Sequence, residues 1–343
     1  MAEHLGTADA GLAAVFERAF APLEQAVEAK RIPGGVLGII DLKHGRMTRA
    51  LGSAQIMPDQ RPMTLDTWFD LASLTKVIFT TTRILKLVDD GVIDLDAPVA
   101  TLLPDFRQYH ADAWERKVTF RQCLGHQTPF PGVEPIYTYD RDPDLLRAFI
   151  LQREWRAGPP VYSDINFILL GFVLERLAKV RTVRELDPGA GFAWSSDPQV
   201  TAATEDCAFR HRVICGEVHD ENCYALQGSG HAGLFGTVAS VLDFAQGLLD
   251  GTGASEQAIR LMRTPLSNKR THGWEHPFDG WWGGSLCSRD TIGHTGFTGT
   301  SLLIDFERGR AVTLLTNRVH PTRHFDSCIL ALRQTVCDLF NQH

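Results

Sequence analysis

Ser73 and Lys76 stand three residues apart in Ser73-Leu74-Thr75-Lys76, a spacing that on a helix puts a hydroxyl and an amine on one face. A serine attacks a carbonyl only when a neighbour removes its proton, and a lysine can do this once burial or nearby positive charge lowers its pKa. The chemistry in view is acyl transfer through a serine ester. At the first turn of a helix, free backbone N–H groups and the positive dipole end also favour developing negative charge. Taken alone, Ser-x-x-Lys equally describes a lysine on a surface helix.

Two further segments carry groups that such chemistry needs. Tyr162-Ser163-Asp164-Ile165-Asn166 follows the stiff Gly158-Pro159-Pro160 and precedes a helical run from Phe167 to Leu177. Tyr162 at that junction can shuttle a proton between Ser73 and a leaving group, or it can be a half-buried tyrosine with one hydrogen bond. Asp164 and Asn166 are alternatively helix N-caps. His294-Thr295-Gly296-Phe297-Thr298-Gly299 lies among strand signals of the C-terminal region. Its glycines let a sheet edge lie against an extended ligand, leaving the Phe297 N–H as an oxyanion donor; in isolation the segment reads as a turn.

Together and in this order, the three motifs resemble the serine β-lactamase and penicillin-binding protein superfamily over nearly the whole chain, in its class C and esterase-like branch. The resemblance implies that Ser73 is acylated, that neutral Lys76 or Tyr162 takes its proton, and that the Ser73 and Phe297 N–H groups hold the oxyanion. It implies substrate contacts at Asp164, His294, Thr295 and Gly296, and no metal or organic cofactor. His294 stands where lactamases usually have lysine, and Asp164 where they usually have asparagine. Both changes remove positive charge, which disfavours penicillins and D-Ala-D-Ala peptides and favours esters and other amides.

A fourth stretch, Ala202-Ala203-Thr204-Glu205, then Gly216 to Asn222, then Gly230-His231-Ala232-Gly233-Leu234-Phe235, is similar to a subgroup with N-acetylmuramyl-L-alanine amidases of cell-wall recycling and several carboxylesterases. Glu205, His219 and Asp220 would then hydrogen-bond a muropeptide's sugar hydroxyls or peptide amides, unless they order the cleft wall. The expected function is a serine hydrolase cutting an amide or ester bond, with a muropeptide as a candidate substrate. Alternatives are a carboxylesterase, a β-lactamase or D-Ala-D-Ala peptidase, a silent muropeptide-binding protein, and a cysteine or metal enzyme.

These residues need elements to hold them. Leu74, Val77, Ile78, Thr81, Leu85 and Val88 line one face of a helix from Ser73 to Gly91. Residues 9 to 30 read as another helix, kinked or broken at Pro22. Val36 to Asp41 and Arg46 to Leu51 form a hairpin around Lys43-His44-Gly45, and strand signals return at Ser285 to Arg289, Thr300 to Phe306 and Ala311 to Thr316 before a closing helix. The expected fold class is α/β (α+β): an antiparallel sheet from both chain ends, flanked by helices, with a mainly helical sub-domain inserted. Residues 1–67 and 271–343 make the α/β sub-domain and 68–270 the helical one, with the active-site cleft between them.

Composition narrows the partners. The 343 residues are 44% hydrophobic and 22% charged, ordinary globular usage, and carry a formal net charge of -7 that repels nucleic acid. No apolar run of membrane-spanning length occurs, and the first twenty residues lack a basic start followed by an apolar stretch, so a cytoplasmic location is expected. Seven cysteines, without a Cys-x-x-Cys pair, read as free thiols. Cys207, His211, Cys215, His219, Cys223 and His231 raise zinc, but their spacing matches no usual ligand pattern. Gly228-Ser229-Gly230-His231-Ala232-Gly233 spells a dinucleotide motif without the buried strand that must precede it. Trp281-Trp282 reads as an aromatic wall for a ligand or as core.

Overall fold

The computed structural model describes residues 4–5 and 8–342. The expected hairpin is present as β1 (Gly34–Asp41) and β2 (Gly45–Gln55), and the chain returns to the same sheet near its end as β3 (Thr291–Thr295), β4 (Thr300–Asp305) and β5 (Arg310–Thr316). Strands neighbour one another in the order β2-β1-β5-β4-β3, all antiparallel, so that Leu37 faces Leu314 and Ile40 faces Ala311 across the pairing of the two chain ends. The helices are α1 (Ala10–Glu28), α2 (Thr82–Asp89), α3 (Phe120–Leu124), α4 (Pro143–Gln152), α5 (Asp164–Ala178), α6 (Glu221–Ala225), α7 (Val238–Asp250), α8 (Glu256–Arg263) and α9 (Ile329–Asn341).

β1 is buried along its whole length because both faces of the sheet are covered. Leu37 and Ile39 pack in one layer with Phe20 and Leu23 of α1 and Phe340 of α9. Val36 and Ile40 join the larger core on the other face. Gly38 lies between them, and a Cβ there would meet Val238 and Leu242 at 2.6 and 2.8 Å, so its bare backbone lets α7 settle on the sheet. α7 therefore lies against the sheet although it comes from the middle of the chain. α5 is apolar on all sides and buried from Ile165 to Leu174, which makes it a central pillar of the middle region rather than a surface helix.

Several expectations are corrected. α1 continues through Pro22 to Glu28 without a break. Ser285 to Arg289 is no strand: the Ser285 and Leu286 N–H groups donate to Oδ1 of Asp338, and Ser288 to the carboxylate of Asp305, so this segment spends its hydrogen bonds on side chains. Trp281 and Trp282 are buried, with both indole N–H groups donating to Glu275, and they belong to the core and not to a ligand wall. In the glycine-rich segment, Gly230 serves packing: a Cβ on Gly171 of α5 would come 2.6 Å from its nitrogen.

Candidate active site

Ser73 sits at a sharp turn between the short strand Phe69–Asp70, paired with Phe235–Gly236, and the helical run that begins at Lys76. Ala72 adopts a left-handed conformation, φ 48°, which is costly for a residue with a side chain. Buried Asp70 holds that turn, accepting the Ala72 N–H at 2.8 Å and, on its other oxygen, the His219 N–H at 2.6 Å. From Lys76 to Thr81 the backbone is π-helical before α2 takes over, so the expected continuous α-helix is locally widened where the lysine side chain turns inward.

Lys76 is wholly buried, and its Nζ meets three oxygens: Ser73 Oγ at 2.9 Å, the His231 carbonyl at 3.0 Å and Asp164 Oδ1 at 2.7 Å. Tyr162 closes the group, its hydroxyl near both Lys76 and Ser73 and its ring centroid 5.1 Å from Nζ. Burial alone would strip the proton from Lys76, but the Asp164 carboxylate and the Tyr162 oxygen outweigh it and push the pKa up to about 12. The Asp164 carboxylate therefore favours an ammonium at Lys76 before substrate arrives, whereas the motif implies a neutral amine when Ser73 gives up its proton. Burial likewise raises the Tyr162 hydroxyl, with Lys76 opposing and Asp164 assisting. Asp164, expected as a substrate contact, is the counter-ion of Lys76 at the first turn of α5, and Ser163 occupies the N-cap position.

The third motif is tied to the nucleophile's turn. Thr298 Oγ1 donates to the Asp70 carbonyl at 2.7 Å and Thr300 Oγ1 to the Leu71 carbonyl at 3.0 Å. A Cβ on Gly296 would lie 2.1 Å from Thr300 Oγ1 and 2.5 Å from the Leu71 oxygen, so only glycine permits this approach. The Ser73 and Phe297 N–H groups take no partner among the described residues, which leaves both available to an oxygen between the two segments. Thr295 is half-buried at the end of β3. His294 is buried; its Nδ1–H donates to the Thr295 carbonyl at 2.9 Å, its Nε2 has no partner, and burial, Arg270 and Lys76 drive its pKa well below the usual histidine value. It is neutral at pH 7.

The polar residues of the fourth stretch form a wall beside this group. Glu205 accepts from His219 and pairs with Arg323 at 2.5 Å, and those hydrogen bonds outweigh burial and hold its carboxyl well below the ordinary range. The His219 ring stacks on Phe297, centroids 5.7 Å apart. Glu205 and His219 are therefore corrected from free substrate contacts to buried supports of the cleft wall. Asp220 caps α6 through the Cys223 N–H and pairs with His231 at 2.9 Å while keeping about a third of its side chain exposed, next to a cavity of 240 Å³ lined by Val133, Tyr137, Asp164, Asn222 and Arg323. Asp164, Asp220 and His231 bring one potential metal-ligand atom each within 4.8 Å of one another; Lys76 and the Asp220–His231 bond already engage them. The cysteines are unpaired.

Residues 20–336 match the beta-lactamase family profile. The chain belongs to the beta-lactamase family. Within that family it is 29% identical to an N-acetylmuramyl-L-alanine amidase of Bacillus subtilis (strain 168), over 85% of this chain and 78% of that protein. It is 27% identical to a putative D-alanyl-D-alanine carboxypeptidase of Escherichia coli (strain K12), over 75% and 70% of the two chains. A class C beta-lactamase crystal structure superimposes with a TM-score of 0.74 at 15% identity, covering 96% of this chain and 99% of that one, a likeness of fold. The mixed α/β fold expected from the sequence is that of beta-lactamases, and this family member is a serine hydrolase of amide or ester bonds.

Four residues of this beta-lactamase family member escaped the sequence reading. Asp70 has no motif of its own and acts through two backbone N–H groups. His126, buried with its ring centroid 4.4 Å from that of Tyr162, accepts the Ser163 N–H at 3.1 Å and so fixes the loop before α5. Arg323 is the partner of Glu205, and Arg333 donates to the Gly296 and Thr300 carbonyls from beneath the third motif. For Asp70 and Arg333 the only signal is a charged residue inside an otherwise apolar stretch, as with Arg333 in the stripe of α9; Arg323 lies in a polar run and has none.

Proposed function

We propose that this protein hydrolyses an amide or ester bond through an acyl-enzyme on Ser73, with cell-wall-derived muropeptides of the N-acetylmuramyl-L-alanine type as its substrate class. The observation that carries this reading is the set of contacts at one amine: Lys76 Nζ lies 2.9 Å from Ser73 Oγ and 2.7 Å from Asp164, beside Tyr162. Substrate enters the cleft between the sub-domain of residues 1–67 and 271–343 and the segment 68–270. Its carbonyl oxygen takes the Ser73 and Phe297 N–H groups.

Water leaves as the substrate seats, and the Lys76 proton passes to Asp164 along their ion pair. The freed amine accepts the Ser73 proton, and Oγ bonds to the carbonyl carbon. Collapse of the oxyanion breaks the bond to the leaving group, which receives its proton from Tyr162; Lys76 reprotonates Tyr162. Water then attacks the ester by the reverse transfers and releases the acid. The whole exchange runs among this chain's own residues.

The similarity to an N-acetylmuramyl-L-alanine amidase supports the substrate class, as does Asp220 beside the cleft, with about a third of its side chain exposed. Seven unpaired cysteines suit a reducing compartment, in keeping with cytoplasmic recycling of wall fragments, and no helix among the described residues is long and apolar enough to cross a membrane. A fluorophosphonate probe should label the wild-type protein and not Ser73→Ala. N-acetylmuramyl-L-alanine should be cleaved faster than nitrocefin or a p-nitrophenyl ester. Absence of an adduct overturns the acyl-enzyme, and preference for nitrocefin or the ester overturns the substrate class.

A further inference from the structure

We propose that Arg318, beyond Phe297 at the mouth of the cleft, binds a carboxylate of the substrate. The proposal rests on the reading of Ser73 and Phe297 given above and adds the charge of the group that they receive. Arg318 stands two residues beyond β5, and its Nε donates to the Phe297 carbonyl at 2.8 Å, so the residue whose N–H faces the oxyanion is held at its other end by this guanidinium. The same guanidinium lies 4.6 Å from the centroid of the Phe297 ring, which is 48% exposed.

Charge accounting singles Arg318 out. Four guanidinium groups surround the third motif, and Arg270, beside His294, is paired with Glu275 at 3.0 Å. Arg333 is buried beneath it on two carbonyls, and Arg323 is gripped by Glu205 and Glu221, each at 2.5 Å. Arg318 pairs with no carboxylate among the described residues, and neither Nη donates to any of them. It is half-buried, where a charge is less screened than in water and an opposite charge is worth correspondingly more. Burial and the nearby Arg323 both press against its proton, a cost that an arriving carboxylate relieves.

The fork geometry matches that ligand. With Nε fixed on Phe297, the two free Nη groups are presented as a pair of donors in one plane, the arrangement that binds both oxygens of a carboxylate. His294 does not compete for this role, being buried and neutral. The cation that a lysine would supply at position 294 is offered instead by Arg318, beside Phe297. Acidic muropeptides, with carboxylates along the peptide stem, fall in the class so selected.

The test uses two pairs of thioesters, one pair differing as carboxylate or carboxamide in the acyl part and the other in the leaving part. For each protein the readout is the ratio of kcat/KM for carboxylate over carboxamide, so a general loss of activity or of folded protein cancels. Wild type should favour the carboxylate at least about tenfold in one pair, mainly through KM, in line with a charge-assisted bidentate contact. Arg318→Gln should bring that ratio close to one, and Arg318→Lys should restore part of it. A wild-type ratio near one in both pairs, or an unchanged ratio in Arg318→Gln, overturns the proposal. If wild type cleaves no thioester, the hydrolase reading is what fails. Calorimetric binding of the matching thioether analogues, which lack the scissile carbonyl, judged by the same ratio, then decides the carboxylate site on its own.

Discussion

Asp164 Oδ1 lies 2.7 Å from Nζ of Lys76, and this contact favours the charged form of the buried amine. With asparagine in its place the buried amine would face only neutral oxygens, and desolvation would favour the uncharged form. With aspartate the resting group is ammonium, carboxylate, serine hydroxyl and phenol, neutral in sum. A proton must therefore move before Ser73 can attack, and Asp164 is the acceptor in direct contact.

Asp164→Asn should lower the pKa of Lys76. The acid limb of the kcat/KM profile for a p-nitrophenyl ester should then move to lower pH, by about one unit or more, as expected for loss of an adjacent opposite charge. The plateau should be kept, because an amine already neutral takes the Ser73 proton without a prior transfer. An acid limb that stays in place would contradict the role given to Asp164. Asp164→Ala, which strands a buried ammonium, should also destabilise the fold by about 3 kcal/mol, toward the low end for broken buried pairs because Asp164 is a third exposed, read from urea unfolding.

Tyr162→Phe keeps the ring against His126 and removes only the hydroxyl. The variant should retain its melting temperature within about 2 °C, since Lys76 keeps Asp164, Ser73 and the His231 carbonyl as partners. Its kcat should drop about 10²- to 10⁴-fold, the usual worth of a positioned proton donor. Single-turnover kinetics with a poor leaving group should show the largest deficit.

Gly296→Ala forces a methyl group into Thr300 Oγ1 and the Leu71 carbonyl. The turn must then withdraw from Asp70-Leu71-Ala72, carrying the Phe297 N–H away from Ser73. Loss of that donor should cost about 10²- to 10³-fold in kcat, and overpacking about 1–3 kcal/mol in stability. Differential scanning calorimetry and esterase assays on the same sample separate the two effects.

The Glu205–Arg323 pair makes a prediction about acid. The folded-state pKa of Glu205 is depressed, so the unfolded chain binds more protons in acid, and the stabilisation is present above the ordinary carboxylate pKa and lost as pH falls through the folded value. Stability measured by urea unfolding should decline below about pH 5, by an amount that shrinks in Glu205→Gln. An identical slope in that variant would remove Glu205 from the list of acid-sensitive groups.

Much of the site was legible because its chemistry sits in short contiguous runs. Ser73 and Lys76 lie three residues apart, Tyr162 stands just before α5 and Gly296-Phe297 just after β3, and the family resemblance of the three runs implies that they meet. The hairpin of β1 and β2 and the strand at Thr300 were readable from apolar runs and turn residues for the same reason. What escaped is whatever depends on distances between separate segments. The charge on Lys76 is set by how closely Asp164 approaches across two helices, and no spacing reports that. Asp70 and Arg333 serve backbone groups far away in the chain, so their own neighbours in sequence say nothing of their task. Ser285 to Arg289 misled in the other direction: its composition suits a strand, yet Asp338 and Asp305 supply partners that no local pattern reveals.

The pairing of β1 with β5 has a consequence for how the protein is made. Val36 opposite Leu315 and Ile39 opposite Val312 join the first strand to one translated near the end, so during synthesis the early hairpin waits with an open edge while the ribosome works through everything between. The oxyanion turn hangs on those late strands. Ser73 therefore lacks its Phe297 partner until β3, β4 and β5 have been made, and the exposed early edge is the surface that a chaperone would have to shield.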